Sequence, residues 1–194
     1  THKEKTYMLK QCTTDSQVWK IIQEGDTSKT TLGLLVCYVD DMLLLAKADE
    51  RQKGLRTYLK GIWNMSTDVA LTKETPMTFI GLELELQGNG DLKVHQRTFI
   101  RQLLTKHGLD KLSKPIAAIQ MPLPDAKESP PTPKELKVLQ GHAGEFNWLA
   151  TRTRGELAYY TSIIASASTK YGEWTLQLCK KVLRYLCGTV EQGV

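Results

Sequence analysis

The sequence predicts an α+β fold, with antiparallel β-hairpins and a helix in the first half and a wholly helical region after them. Three observations carry that expectation. Two apolar runs, residues 33–37 and 42–46, flank a tight polar corner. Residues 80–86 alternate with a period of two and turn back at Gly88-Asn89-Gly90-Asp91. From Arg97 onward, apolar residues recur at helical spacing.

Taken in order, the two apolar runs read as a β-hairpin, although Val39-Asp40-Asp41 lacks the Asn-Gly chemistry of the commonest turns. Residues 49–63 read as a helix: Asp49 suits the N-cap, Glu50 suits the first turn, and Leu55, Leu59, Ile62 and Trp63 fall on one face. In the second hairpin Ile80, Leu82, Leu84 and Leu86 share one face of a strand, and Leu92-Lys93-Val94-His95 alternates back. Residues 97–107 form a helix with the apolar stripe Phe99, Ile100, Leu103 and Leu104. Six of the seven prolines lie between Pro115 and Pro133, so residues 113–133 are expected to be an extended connector. Three helices should follow, over residues 134–150, 155–168 and 173–187. Gly172 and Gly188 bracket the last, the second placed for a C-terminal cap.

With 194 residues, 41% hydrophobic and 24% charged, the chain has the balance of an ordinary soluble globular protein rather than a disordered one. The longest apolar stretch is broken by Asp40 and Asp41, so no membrane partner is expected. Residues 1–5 lack the apolar run of a signal peptide, and the absence of an initiating Met suggests a piece of a longer protein. Cys12, Cys37, Cys179 and Cys187 show no C-x-x-C spacing and read as reduced thiols of an intracellular protein. A net charge of +5 permits a polyanionic partner without demanding one.

Adjacent aspartates at a corner between two apolar strands are the main chemical feature. The strands are drawn into a core while two carboxylates are held together at its edge. Like charges that close repel, and a hard divalent ion with oxygen ligands relieves the repulsion while leaving positions for water and phosphate. Such a pair suits two-metal phosphoryl transfer. Aspartate is also a common turn residue, so a solvated turn is the ordinary reading of Asp-Asp alone.

The wider tetrapeptide, Tyr38-Val39-Asp40-Asp41, resembles the Y-x-D-D box of reverse transcriptases. From about Leu32 to its end the chain is similar to the copia-type family of LTR retrotransposon polymerases. The segment Leu34-Leu35-Val36-Cys37-Tyr38-Val39-Asp40-Asp41-Met42-Leu43 looks like that family's catalytic strand and turn. Phe79-Ile80-Gly81-Leu82-Glu83-Leu84 looks like its F-L-G-x-E segment, and residues 92–100 follow its L-x-L-x-Q-x-x-Y-I pattern. Residues 148–154 and 183–189 resemble the two blocks that precede its RNase H domain.

The resemblance implies a partial reverse-transcriptase palm over residues 1–96, a basic thumb-like helix over 97–112, the proline-rich connector 113–133, and a helical thumb or connection segment over 134–194. It implies RNA-directed DNA polymerisation in the intact protein, with Asp40 and Asp41 binding Mg²⁺ (or Mn²⁺ in its place) and Tyr38 near the nascent base pair. Phe79, Gly81 and Glu83 would position the primer terminus. Lys73 would lie near the incoming dNTP, where a palm lysine can act as general acid. Partners would be an RNA or DNA primer–template, dNTPs, and the upstream fingers and palm and downstream RNase H segments of the same polyprotein. The location would be a cytoplasmic virus-like particle or the nucleus. The family's third catalytic aspartate lies upstream on another palm strand. Asp15 resembles a different segment, D-x-x-(V/L)-(W/F/Y), so the 194 residues alone are expected to be inactive. Arg154-Gly155-Glu156 departs from the family's R-P-D.

The stretch Lys93, Arg97, Arg101, Lys106, Lys111 and Lys114 is basic, with Arg97 and Arg101 on one helix face. As a charge run it reads as a solvated face; beside the resemblance it implies contact with the phosphates of a primer–template. Lys170, Lys180, Lys181 and Arg184 form a weaker cluster. His95, His107 and His142 have no metal-ligand spacing with the cysteines or one another and read as structural. Three functions stay open: a polymerase fragment, a nucleic-acid-binding module without chemistry, and a decayed or repurposed retroelement remnant.

Overall fold

A computed structural model of the chain describes residues 6–28, 30–47, 50–109, 114–125 and 127–194. The fold is mixed α+β, with two antiparallel sheets and five α-helices among the described residues. The chain divides into two units, Thr1–Ala70 and Leu71–Val194. Among the described residues no helix is long and apolar enough to cross a membrane.

The first unit is an antiparallel meander of four strands in sequence order, β1 (Tyr7–Gln11), β2 (Val18–Gln23), β3 (Gly33–Tyr38) and β4 (Asp41–Ala46), followed by helix α1 (Glu50–Ile62). The predicted hairpin is β3–β4. The two strands before it were not anticipated. Trp19 pairs with Leu35 and Leu35 with Leu44, so an apolar row crosses three strands on one face. Ile21, Ile22, Leu35 and Leu59 are the buried apolar residues of this unit among those described, Ile21 and Ile22 on opposite faces of the sheet. Gly33 is required for close approach: a Cβ there would lie 2.7 Å from the Leu45 carbonyl oxygen. Asp15 accepts from the backbone amide of Gln17 at 2.8 Å, a turn role that accounts for it without a metal. The apolar face foreseen for α1 is buried only at Leu59, while Ile62 and Trp63 are half-exposed. Asp49, read as the N-cap, lies outside the described residues. Arg56 and Lys60, one helical turn apart, both pair with Asp68.

The second unit holds a three-stranded sheet, β5 (Met77–Phe79), β6 (Leu82–Leu86) and β7 (Leu92–His95). Helices α2 (Arg97–Lys106), α3 (Pro133–Ala150), α4 (Ala158–Ala167) and α5 (Gly172–Gly188) follow, with a 3₁₀ turn (Gly155–Leu157) before α4. Met77 and Leu84 are paired, as are Leu84 and Val94, which builds the apolar face. Pairing of Glu83 with His95 and of Glu85 with Lys93 makes the other face charged. The helical core is supplied by Ile100, Leu103 and Leu104 of α2, Phe146 and Leu149 of α3, Ile164 of α4, and Leu178, Val182 and Leu186 of α5.

Two sequence expectations change here. Ile80 is not a strand residue: Phe79 pairs directly with Leu82, so Ile80 and Gly81 are the two corner residues of the β5–β6 hairpin, at φ 46° and 78°. Positive φ at both corners is the pattern of a type I′ turn, which matches strand twist but strains a β-branched Ile. Nor is Gly188 a left-handed cap; it is the last residue of α5. A Cβ at Gly188 would sit 2.9 Å from Pro115, and one at Gly172 would sit 2.9 Å from Pro131. The prolines thus pack onto the two ends of α5, and the connector belongs to the second unit instead of dividing the chain.

Pro133 opens α3 at its first position, where a missing N–H costs nothing. Thr132 and Glu135 complete a capping box: the Thr132 hydroxyl oxygen accepts from the Glu135 amide at 3.4 Å, and Glu135 accepts from the Thr132 amide at 2.8 Å. Thr132→Ala is expected to lower stability by about 1 kcal/mol. Urea unfolding checks this; an unchanged midpoint would mean that Pro133 alone fixes the helix start.

Candidate functional site

The hairpin β3–β4 positions the carboxylate pair. Tyr38 and Asp41 are cross-strand partners, so the connecting loop has only two residues, Val39 and Asp40. Asp41 is therefore the first residue of β4, not part of the turn. Its side chain shares a sheet face with that of Tyr38. Val39 has φ 52° and is 82% exposed. A β-branched residue in the left-handed region is strained, because its Cβ crowds the backbone. Among the described residues no packing at Val39 repays that strain.

Both carboxylates are exposed. Among the described residues, no hydrogen bond or ion pair engages either side chain. Tyr38 is half-exposed beside them. Two unengaged oxygen-donor groups on consecutive residues fit a hard divalent cation such as Mg²⁺ in donor chemistry, with open positions for water and phosphate. Just behind the corner, burial pushes the Cys37 thiol above its ordinary range, so it is a protonated packing group.

Relief of the turn strain makes a prediction. Val39→Gly is expected to raise stability by about 1 kcal/mol, since glycine reaches positive φ without the Cβ clash and little buried surface is lost. The check is the denaturant midpoint. A lower midpoint would show that Val39 is not strained there.

The other sequence-selected residues lie in the second unit. Phe79 is buried in its core. Gly81 is exposed at the hairpin corner, where a Cβ would come 3.3 Å from the Trp148 ring. The Glu83 carboxylate accepts from the Thr98 amide at 2.6 Å and from its hydroxyl at 3.1 Å, which caps the start of α2 from a neighbouring strand. Lys73 is exposed and donates to the Gly88 carbonyl at 3.2 Å.

The basic row is largely engaged within the fold. The Arg97 guanidinium faces both oxygens of Glu85 at 3.3 and 3.4 Å and contacts Glu191 at 2.6 Å. Arg101 pairs with Glu191 at 3.0 Å, and Lys106 with Glu145 at 2.5 Å. His95 is buried between Glu83 and Glu85. Burial works to raise the Glu85 carboxyl, but the Arg97 hydrogen bonds and nearby positive charges outweigh it and hold it below the ordinary range. Lys111 lies outside the described residues.

One group was missed. His107, at the end of α2, and His142 and Glu145, on one face of α3, bring their ligand-type atoms within 4.8 Å of one another. Glu145 Oε2 is 3.0 Å from His107 Nε2 and 3.6 Å from His142 Nδ1. Burial, reinforced by neighbouring His107, pushes His142 down to about 4. Burial would raise Glu145, but hydrogen bonds from Lys106 and His107 hold it low. The i,i+3 spacing of His142 and Glu145 was a visible signal; the approach of His107 from another helix was not.

No protein-family model matches the chain, and no solved structure matches it.

Proposed function

We propose that the chain is part of a copia-type reverse transcriptase, an RNA-directed DNA polymerase, and that Asp40 and Asp41 are two of its metal-binding carboxylates. One observation carries the proposal: a strained two-residue corner holds two exposed carboxylates, unengaged among the described residues, at the tip of two apolar strands. Strain with no local compensation is found where geometry serves a site. The ordered sequence blocks resembling that family give the corner its chemical interpretation.

Mg²⁺ bound there would activate the primer hydroxyl and neutralise charge on the transferred phosphate. The chain's own residues do the holding. Asp40 and Asp41 supply oxygen donors, and Tyr38, on the same face as Asp41, offers an aromatic surface to the nascent base pair. At the second hairpin the Phe79 and Glu83 side chains are engaged in the fold, so contact with a primer falls to the exposed backbone at Gly81. Lys73 would have to leave the Gly88 carbonyl to reach a dNTP.

Strand β4 is an edge of its sheet among the described residues, and Met42, Leu43 and Leu44 are only partly buried. An open apolar edge is where another strand adds. The upstream palm strand carrying the third aspartate would pair there and bring its carboxylate beside the other two. Engagement of Arg97 and Arg101 with Glu85 and Glu191 weighs against a binding module built on that basic row alone.

The test is primer extension on an RNA template with Mg²⁺, using these residues joined to the upstream fingers and palm segment. Extension that needs both parts and disappears in Asp40→Asn is the expected result. Extension unaffected by Asp40→Asn removes the proposal.

A further inference from the structure

We propose that His107, His142 and Glu145 form a binding site for a borderline divalent cation, Zn²⁺ in the first instance, which ties the end of α2 to the middle of α3. The site is separate from the carboxylate corner and does not depend on the polymerase reading.

The donor set is two imidazoles and one carboxylate, a combination that Zn²⁺ accepts with a fourth position left for water. Mg²⁺ and Ca²⁺ prefer oxygen alone, so the nitrogens select against them. Donor atoms around a tetrahedral Zn²⁺ with bonds near 2.0 Å are about 3.3 Å apart. The separations from Glu145 Oε2 to the two imidazole nitrogens, 3.0 and 3.6 Å, straddle that value. The rings of His107 and His142 have centroids 4.3 Å apart and are tilted by 33°, with the ligand-type atoms of the three residues within 4.8 Å of one another, so His107 must rotate for its Nε2 to converge with His142 Nδ1. It can do so, because it sits at a helix end and is partly exposed, which also gives the ion a route in.

The surroundings resemble a prepared site. His142 is buried and its Nδ1 has no hydrogen-bond partner, a costly arrangement for a polar atom that coordination would relieve. Phe146 stacks on the same ring at 5.6 Å and fixes its plane. Lys106 Nζ holds Glu145 Oε1 at 2.5 Å and leaves Oε2 facing the histidines. Outer contacts of this kind orient ligands and tune affinity. The competing description is a plain His–Glu hydrogen-bond network with no ion.

The experiment uses the full chain after dialysis against chelator, titrated with Co²⁺ and followed by its visible d–d absorption, with Zn²⁺ as competitor. One equivalent should bind, displaced by Zn²⁺, without the near-ultraviolet charge-transfer band of thiolate ligands, and Zn²⁺ should raise the thermal midpoint. His107→Ala and Glu145→Gln should each weaken binding at least about tenfold. His107 is partly exposed, so its variant should keep the helical circular dichroism even where His142→Ala does not. Absence of saturable binding, a thiolate band, or equal affinity in folded His107→Ala and Glu145→Gln each overturns the proposal.

Discussion

Arg154→Ala is expected to destabilise the 71–194 unit by about 3 kcal/mol, a drop of roughly 10 °C in its thermal midpoint. Arg154 is 1% exposed, the largest fully buried side chain among the described residues. Its Nε contacts Glu156 at 2.7 Å, and Nη1 donates to the Thr189 carbonyl at 3.1 Å. Nη2 donates to the Thr189 hydroxyl at 2.6 Å and to Gln192 at 3.3 Å. The Tyr185 ring lies 5.7 Å from the guanidinium carbon. One planar group thus joins the start of the 3₁₀ turn to the end of α5. Truncation leaves a void and strips the partners beyond α5 of their donor. Arg154→Lys should recover little, because an ammonium cannot reproduce the fork. Glu156 is 42% exposed and Gln keeps an acceptor for Nε, but the change leaves the buried guanidinium without its carboxylate, so Glu156→Gln should cost about 1 kcal/mol, less than the alanine truncation. Guanidinium unfolding of all three variants is the measurement. An Arg154→Ala midpoint near that of Glu156→Gln would show that the network is a minor contributor.

The elements most legible in the sequence were those with a clear local period. The alternation of β6 and the stripe of α2 record which face is buried: Leu84, and Ile100, Leu103 and Leu104, are buried in the fold. Strands β1 and β2 were not legible, because their order depends on pairing, β1 with β2 and β2 with β3: Lys10 and Lys20 interrupt the apolar pattern and pair with each other. The Ile80 corner was hidden by an alternation that runs through it without a Gly or Asn at the first position. Gly172 and Gly188 carried the right signal with the wrong cause, since the prolines they accommodate lie 41 and 73 residues earlier in the chain. Such contacts have no local signature.

The candidate sites divide in the same way. Tyr38, Asp40 and Asp41 are contiguous, so their grouping needed only the hairpin. The basic row was read as available for phosphate because its partners, Glu85 and Glu191, are 12 residues before Arg97 and 90 residues after Arg101. Arg154 was read only as part of a block resembling the family's, whereas its guanidinium reaches Thr189 and Gln192 beyond the end of α5. His107 joined the histidine–glutamate cluster only once α2 packed near α3.

Asp40→Asn and Asp41→Asn should separate activity from stability. In a protein that carries the upstream palm segment, each is expected to lower primer extension at least about a hundredfold, through the loss of one charged donor where charge develops during transfer. Stability should stay within about 0.5 kcal/mol of the parent, because both side chains are exposed and unengaged among the described residues. Any change should be a gain, since neutralising one of two adjacent like charges reduces their repulsion. A solvated turn predicts a different pair of results: no activity change and no stability change. A turn that shapes the hairpin through its side chains predicts losses in both. Val39→Gly then acts as the control for the corner itself. If strain holds the carboxylates in register, relaxing it should stabilise the hairpin while slowing extension, a trade-off expected of a site and not of a loop. Unchanged extension in Asp40→Asn and Asp41→Asn, in a folded protein of otherwise normal activity, would reduce the pair to an ordinary exposed turn.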